Sequence, residues 1–173
     1  MKSWFLEQLA MYSAYHQSGR NQATHHIGVP MIVFSLLVLT STVPIMAFES
    51  GRLTLASLLM GVLLLYYILN SPLVGTIAVF IYGALLYGAE MVAFMGTGFA
   101  TKVFALLFIF GWIIQFIGHV FEGRKPALFD NLTQVFIAPA FLIAEVLFAL
   151  KLELGLKAEV EARAGKYMPK EQP

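Results

Sequence analysis

The chain contains no cysteine, and only 12% of its 173 residues are charged. The first absence removes disulfides, thiolate nucleophiles, iron–sulfur clusters and zinc–thiolate sites together. Any metal must then be held by histidine, carboxylate or water. The second absence removes a soluble surface. Soluble domains carry about 25% charged and about 45–50% apolar residues, whereas 59% of this chain is hydrophobic and its mean hydropathy is +0.78. A soluble protein of this size keeps too much surface in water to bury that much apolar side chain. Disorder, a coiled coil and a soluble globular enzyme are excluded, and lipid is the solvent the composition points to. Net charge is +1, from 11 Lys+Arg against 10 Asp+Glu, so there is no basic field for nucleic acid.

Several motifs are missing too. The chain has no phosphate loop, no Ser–His–Asp order, no HExxH and no CxxC, and its four histidines are too few for a membrane di-iron desaturase. The N-terminus does not read as a signal peptide, because Glu7 and Gln8 interrupt the apolar run and no small-residue cleavage site follows. Trp4, Phe5, Leu9 and Tyr12 recur at helical spacing, with Lys2, Glu7 and Gln8 elsewhere on the wheel. That pattern predicts a short amphipathic helix on the membrane surface.

What is present is a series of long uncharged segments. Ile27 to Phe48 carries no charge and is long enough to span. Pro30 is placed in its first turn, where a missing N–H costs little, and Pro44 shortens or kinks its far end. After a polar turn at Glu49-Ser50-Gly51-Arg52, no charge appears from Leu53 to Ala89, and Asn70-Ser71-Pro72 breaks that stretch, giving spans at about Leu53–Leu69 and Leu73–Phe94. A turn at Gly96-Thr97-Gly98 precedes a fourth span, Val103 to about Phe121. Leu132–Leu150 is long enough to cross but contains Pro139 and Glu145. Lys2, Arg20, Arg124 and Lys125 on one side outnumber Arg52 and Lys102 on the other, which puts the first group in the cytoplasm. The basic tail prefers that side as well, so Leu132–Leu150 is expected to return as a broken hairpin or lie in the interface, with a fifth full span as the alternative.

The expected fold is therefore all-α: an integral membrane helical bundle with four full spans, a broken or interfacial C-terminal segment and an N-terminal amphipathic helix. Residues 1–150 form one membrane-embedded domain in this reading. Residues 151–173 form a charged cytoplasmic tail without an apolar stripe fit for a core.

The four histidines sit in two places only. His16, His25 and His26 precede the first span and His119 ends the fourth. An even number of crossings brings His119 back to the face that carries the others. His119 and Glu122 are three apart, so they share a helix face, in the manner of Glu-x-x-His ligand pairs in helical bundles. Imidazole plus carboxylate suits Fe(II), Zn or Mn. His16 and His25 complete a site with positions left open. His26 is set apart, because adjacent helical residues point about 100° away from each other. The plainer reading is an interfacial polar belt of histidines that binds nothing. Glu90, inside the third span, reads as a protonated carboxyl against a neighbouring helix. Glu145 is held as an outer partner of the site, and Gly75 and Gly83 as packing positions.

Tyr15-His16, Asn21, His25 and Val29-Pro30 form one motif; Gln115-Phe116-Ile117-Gly118-His119, Phe121-Glu122 and Arg124-Lys125-Pro126-Ala127-Leu128 form a second. Asp130-Asn131-Leu132, Ala138-Pro139 and Glu145 follow. Together they resemble the 2-hydroxy-fatty-acid dioxygenase family of small multi-span proteins, named for metabolism of phytosphingosine to odd-numbered fatty acids. The resemblance covers about Leu6 to Leu150. It implies an Fe(II)-dependent enzyme of fatty-acid α-oxidation that takes a long-chain 2-hydroxy acid and molecular oxygen and releases an acid one carbon shorter. The family's shared histidines fall on His16, His25 and His119. For Glu122 the spacing leaves three roles open: a metal ligand, a catalytic base beside the ligands, or a helix-end salt bridge to Arg124. Arg124 and Lys125 are expected at the substrate carboxylate, and Asn21 and Gln115 as donors around the site. The expected surroundings are a bacterial inner membrane or the endoplasmic reticulum, with the metal near the cytoplasmic face. A non-catalytic membrane protein and a haem protein with axial histidines are the other two readings.

Overall fold

A computed structural model describes residues 3–49 and 51–168 of the chain. Lys2, which the sequence places on the amphipathic helix and among the cytoplasmic charges, and residues 169–173 of the tail lie outside the described residues. The elements are α1 (Ser3–Ala14), α2 (Gly19–Ser41), a hairpin of β1 (Pro44–Phe48) and β2 (Gly51–Thr54), α3 (Leu55–Asn70), α4 (Pro72–Phe94), α5 (Thr97–Glu122), α6 (Gln134–Ala149) and α7 (Leu154–Ala164). Single 3₁₀ turns occupy Ala127–Phe129 and Gly165–Tyr167. The chain divides into two compact units, one of residues 1–26 and 115–173, the other of residues 27–114.

The second unit is apolar helices joined by tight turns. Helix α2 starts eight residues earlier than expected, so Pro30 is interior rather than in the first turn and leaves the carbonyl four residues back without its helical donor. The helix stops at Ser41, ahead of Pro44, as the restriction on residues before proline favours. Residues 44–48, expected as the end of a span, instead pair antiparallel with 51–54. Thr54 caps α3 in a reciprocal capping box with Ser57, and Pro72 opens α4 at a position that needs no N–H donor. Helices α3 and α4 pack closely: a Cβ on Gly75 would overlap the backbone of Ile68, whereas Gly83 faces open space. The close approach expected of both glycines belongs to Gly75 alone.

Helices α2, α4 and α5, of 23, 23 and 26 residues, are long and apolar enough to cross a membrane. Helix α3, expected as the second span, has 16 residues, about 24 Å at 1.5 Å per residue. Large side chains such as Val62, Leu65, Leu69, Phe80, Tyr87, Leu106 and Phe110 are exposed along these helices, which is compatible with membrane association. Glu90, expected to face a neighbouring helix without a charged partner, has one: Arg52 meets it at 3.2 Å, Ser41 donates to it at 3.0 Å, and Thr54 donates as well. The guanidinium of Arg52 also lies 4.2 Å from the ring centre of Phe94.

The first unit has a true interior. Helix α1 forms as expected, but protein rather than lipid covers its apolar face: Phe5, Leu9 and Tyr12 are buried and α1 packs against α6 and α7. Helix α6 is also buried along most of its length, including Pro139. The chain then breaks at residues 150–153, where Lys151 and Glu153 adopt left-handed backbone angles, and α7 departs at 117° from α6. The tail does carry an apolar stripe after all. Leu156, Val160 and Ala164 recur every four residues and are buried, a pattern hidden in the sequence by the charges on the remaining faces.

Candidate metal centre

Three imidazoles meet inside the first unit. His16 lies in the linker between α1 and α2, His25 in the second turn of α2, and His119 in the last turn of α5. Their exposures are 3%, 2% and 7%, and one ring nitrogen from each lies within 4.8 Å of the others.

The tautomers follow from the backbone. His16 Nδ1 is 2.7 Å from the carbonyl oxygen of Tyr12, and His25 Nδ1 is 2.9 Å from that of Asn21. A carbonyl can only accept, so both rings carry their hydrogen on Nδ1 and present a lone pair at Nε2. Those two Nε2 atoms are 3.2 Å apart. Two lone pairs at that distance repel unless a cation lies between them, and imidazole nitrogens at about 2.0–2.1 Å from one tetrahedral ion stand about 3.3 Å apart. His119 Nδ1 is buried without a hydrogen-bond partner among the described residues. The donor set fits a divalent metal. Burial pushes His16 well below the usual imidazole range, and the neighbouring His25 adds to it. His16 is thus neutral and able to ligate at ordinary pH.

The supports come from the same few turns. The ring of Tyr12 stacks on His16 at 4.0 Å between centroids and meets Phe141 at 4.8 Å. Glu122 shares the His119 face, as its spacing predicts, and spends both oxygens on the linker. It accepts from the N–H of Gln17 at 3.0 Å, of Ser18 at 2.9 Å and from Asn21 Nδ2 at 3.0 Å. Ser18 begins the hydrogen bonding of α2, so this carboxylate caps that helix from outside, where its charge suits the dipole. The chain turns out of α5 through Gly123, with Gly123 N–H bonded to Val120 O and Arg124 N–H to His119 O. This is a Schellman motif, and it fixes His119, Glu122 and Arg124 relative to one another. At Gly118 the two helices nearly touch: a Cβ there would fall on Thr24 Oγ1 and Asn21 Oδ1.

The other expected site residues are placed as follows. Asn21 holds Glu122. Gln115 is half-buried one turn before His119. Arg124 donates to Ala14 O at 2.9 Å and Tyr167 O at 2.7 Å. Lys125 is exposed and paired with Asp130. His26, set apart in the sequence, faces away from the cluster and pairs with Glu145 at 3.1 Å, so Glu145 meets this histidine rather than the three. The pair lines a groove of about 830 Å³, also bounded by Ser13, Gln22, Phe141 and Lys157. The sequence reading gave Tyr12 only to the apolar face of α1 and assigned it no role at the site, although an aromatic residue four before a histidine was the available signal. It quoted Tyr15 in the first motif without a role; the Tyr15 hydroxyl donates to Asp130 at 2.5 Å, and burial and that bond raise its pKa.

A family model described as Mpo1-like, 2-hydroxy-palmitic acid dioxygenase, matches residues 2–150. The chain belongs to the Mpo1-like family. This Mpo1-like chain is 36% identical over 156 residues to 2-hydroxy-palmitic acid dioxygenase MPO1 of Saccharomyces cerevisiae, covering 89% of the chain and 86% of that relative. No solved structure matches it. A relative named as a dioxygenase supports an enzyme of that kind, and the buried three-histidine group could hold a metal ion.

Proposed function

We propose that the chain is an Fe(II)-dependent dioxygenase of membrane-embedded 2-hydroxy fatty acids, with His16, His25 and His119 as the metal ligands. The observation that carries this reading is the convergence of two fixed Nε2 lone pairs and a third buried imidazole, in a chain of a family named for this activity. The reaction balances without a reductant: a 2-hydroxy acid and O2 give the acid one carbon shorter, CO2 and water. Held by those three histidines, iron would supply Lewis-acid and redox chemistry for the 2-hydroxy acid and oxygen.

The protein's own part is positioning. Backbone carbonyls of Tyr12 and Asn21 hold two rings in one tautomer, and the stacked Tyr12 ring stops His16 from turning. Burial keeps bulk water from the three rings. Glu122 is assigned to the linker and to the start of α2 rather than to the metal, because three N–H donors occupy its oxygens. Asn21 and Arg124 have holding roles for the same reason, and Gln115, on the His119 face, is assigned to the polar head of the acid. The acyl tail has to leave water and is proposed to stay among the apolar helices.

The membrane reading belongs to the proposal as well. Helix α3 falls short of a roughly 30 Å hydrocarbon layer by an amount that local thinning and flanking residues absorb, which retains four crossings and a cytoplasmic-side metal. The test is oxygen uptake by detergent-purified, iron-loaded protein with 2-hydroxyhexadecanoic acid, beside hexadecanoic and 3-hydroxyhexadecanoic acids. Pentadecanoic acid is expected from the 2-hydroxy acid alone. Iron-replete protein that consumes none of the three contradicts the assignment.

A further inference from the structure

His16 differs from the other two histidines in what holds it. His25 and His119 are carried by regular helices, whereas His16 sits in the non-helical residues between α1 and α2. Its position is therefore only as fixed as that linker. One side of the linker is tied to Glu122. On the other side stands Arg124, whose guanidinium lies 3.4 Å from the ring centre of Tyr15 and donates to Ala14 O and Tyr167 O. Ala14 and Tyr15 immediately precede His16. The backbone N–H of Arg124 bonds His119 O, so one residue joins the carriers of two ligands.

The third partner is unexpected. Tyr167 lies beyond residue 150, where the family match ends. The segment that presents it is docked on α1 through Glu7, whose carboxylate accepts from Lys166 Nζ at 2.8 Å and Tyr167 OH at 2.5 Å, with Arg163 at 4.0 Å. Met11, Tyr167 and Met168 pack around a buried cluster of Ala14, Tyr15, Ala127 and Ala164. The C-terminal segment thus supplies both a carbonyl to the arginine and apolar cover to the turn before His16.

We propose that Arg124 is a positioning residue for His16, and that residues 154–168 are a working part of the metal centre through their hold on Arg124. The inference rests on the three-histidine reading above for its metal readout, but the placement of His16 is measurable without metal. A planar fork that spans two carbonyls and stacks on a ring is a geometry lysine does not reproduce.

The test uses the full-length protein and Arg124→Ala, Arg124→Lys and Glu7→Ala variants, with Lys102→Ala as control. Thermal melts identify variants that remain folded. In Co(II)-loaded samples, Arg124→Ala is expected to weaken metal binding about ten- to a hundredfold, as loss of a partner outside the ligands does. It should also change the visible spectrum toward that of His16→Ala. Arg124→Lys should recover little, millimolar guanidinium added to Arg124→Ala should recover much, and Glu7→Ala should lose a few-fold. In metal-free samples the ring-nitrogen NMR signals of His16 should shift in Arg124→Ala and stay unchanged in Lys102→Ala. Wild type that takes up no Co(II) while His16 still responds to Arg124→Ala overturns the metal reading and supports the positioning role. A folded Arg124→Ala with unchanged His16 signals overturns the positioning role whatever the metal does. Arg124 effects with none from Glu7→Ala overturn the tail's share.

Discussion

The two units of this chain use burial for different ends. In residues 27–114 the buried polar side chains are mostly small: Ser35 and Asn70 bond to carbonyls three and four residues back, and Ser41 and Thr54 bond to Glu90. In residues 3–26 and 115–168 they are larger, and several reach across the sequence. Gln8, His16, Asn21, His25, His119 and Gln134 are all buried, and Gln8 accepts from Asn131, Thr133 and Gln134, more than a hundred residues away. A buried polar network that links distant parts of the chain specifies one arrangement. An apolar bundle of helices specifies a span and little more. The three-histidine group lies within that network.

The largest expected effect separates the units outright. Any one of His16→Ala, His25→Ala or His119→Ala should lower metal affinity by more than the hundredfold that loss of an outer partner costs at most, with turnover falling alongside. Metal analysis after gel filtration reads this, and retained metal in all three variants contradicts the ligand set. Glu122→Gln comes next. It keeps the shape but weakens the cap on the linker, so affinity should fall about ten- to a hundredfold. A complete loss equal to that of His119→Ala would make Glu122 a ligand.

Paired glycines sharpen the contrast. Gly118→Ala and Gly75→Ala each force a side chain into a close contact, at about 1–3 kcal/mol for overpacking. Both should lower the melting temperature, but only Gly118→Ala should reduce metal affinity, since Asn21 and Thr24 are what it displaces. Equal metal loss in both variants would erase the distinction between the units. Glu90→Gln should cost about 1.5–3 kcal/mol, as for hydrogen bonds to a charged group, and leave metal binding unchanged.

The smallest effect is a pH dependence of the tail. Hydrogen bonds from Lys166 and Tyr167 hold the Glu7 carboxyl below its ordinary value of 4.5. A depressed carboxylate stabilises the folded state above its unfolded pKa, and that contribution is lost as pH falls through the folded pKa. Amide exchange in α7 should therefore accelerate below pH 4.5 in wild type and show no such step in Glu7→Ala. A step that survives the substitution assigns the docking to other groups.

Much of this was legible in the sequence, for physical reasons that differ by element. Helices α4 and α5 follow from uninterrupted apolar runs between proline and glycine breaks. The three histidines could be grouped because the chain has none elsewhere except His26. The hairpin at 44–54 was not legible, since β1 is as apolar as the span before it. The docking of α7 was hidden because each buried residue of its stripe is flanked by charge. The holding work of Arg124 was hidden too. In sequence an arginine beside a candidate site looks like a substrate anchor, and only the placement of Ala14, Tyr15 and Tyr167 around it shows its guanidinium engaged.

The central claim is that three buried imidazoles hold one iron. Its most direct measurement is the metal content of full-length protein purified in detergent without air or chelator, beside the His16/His25/His119 triple alanine variant. The account predicts about one iron per chain with no haem absorption, and none in the variant. Folded wild-type protein that remains metal-free after Fe(II) is added back would contradict it.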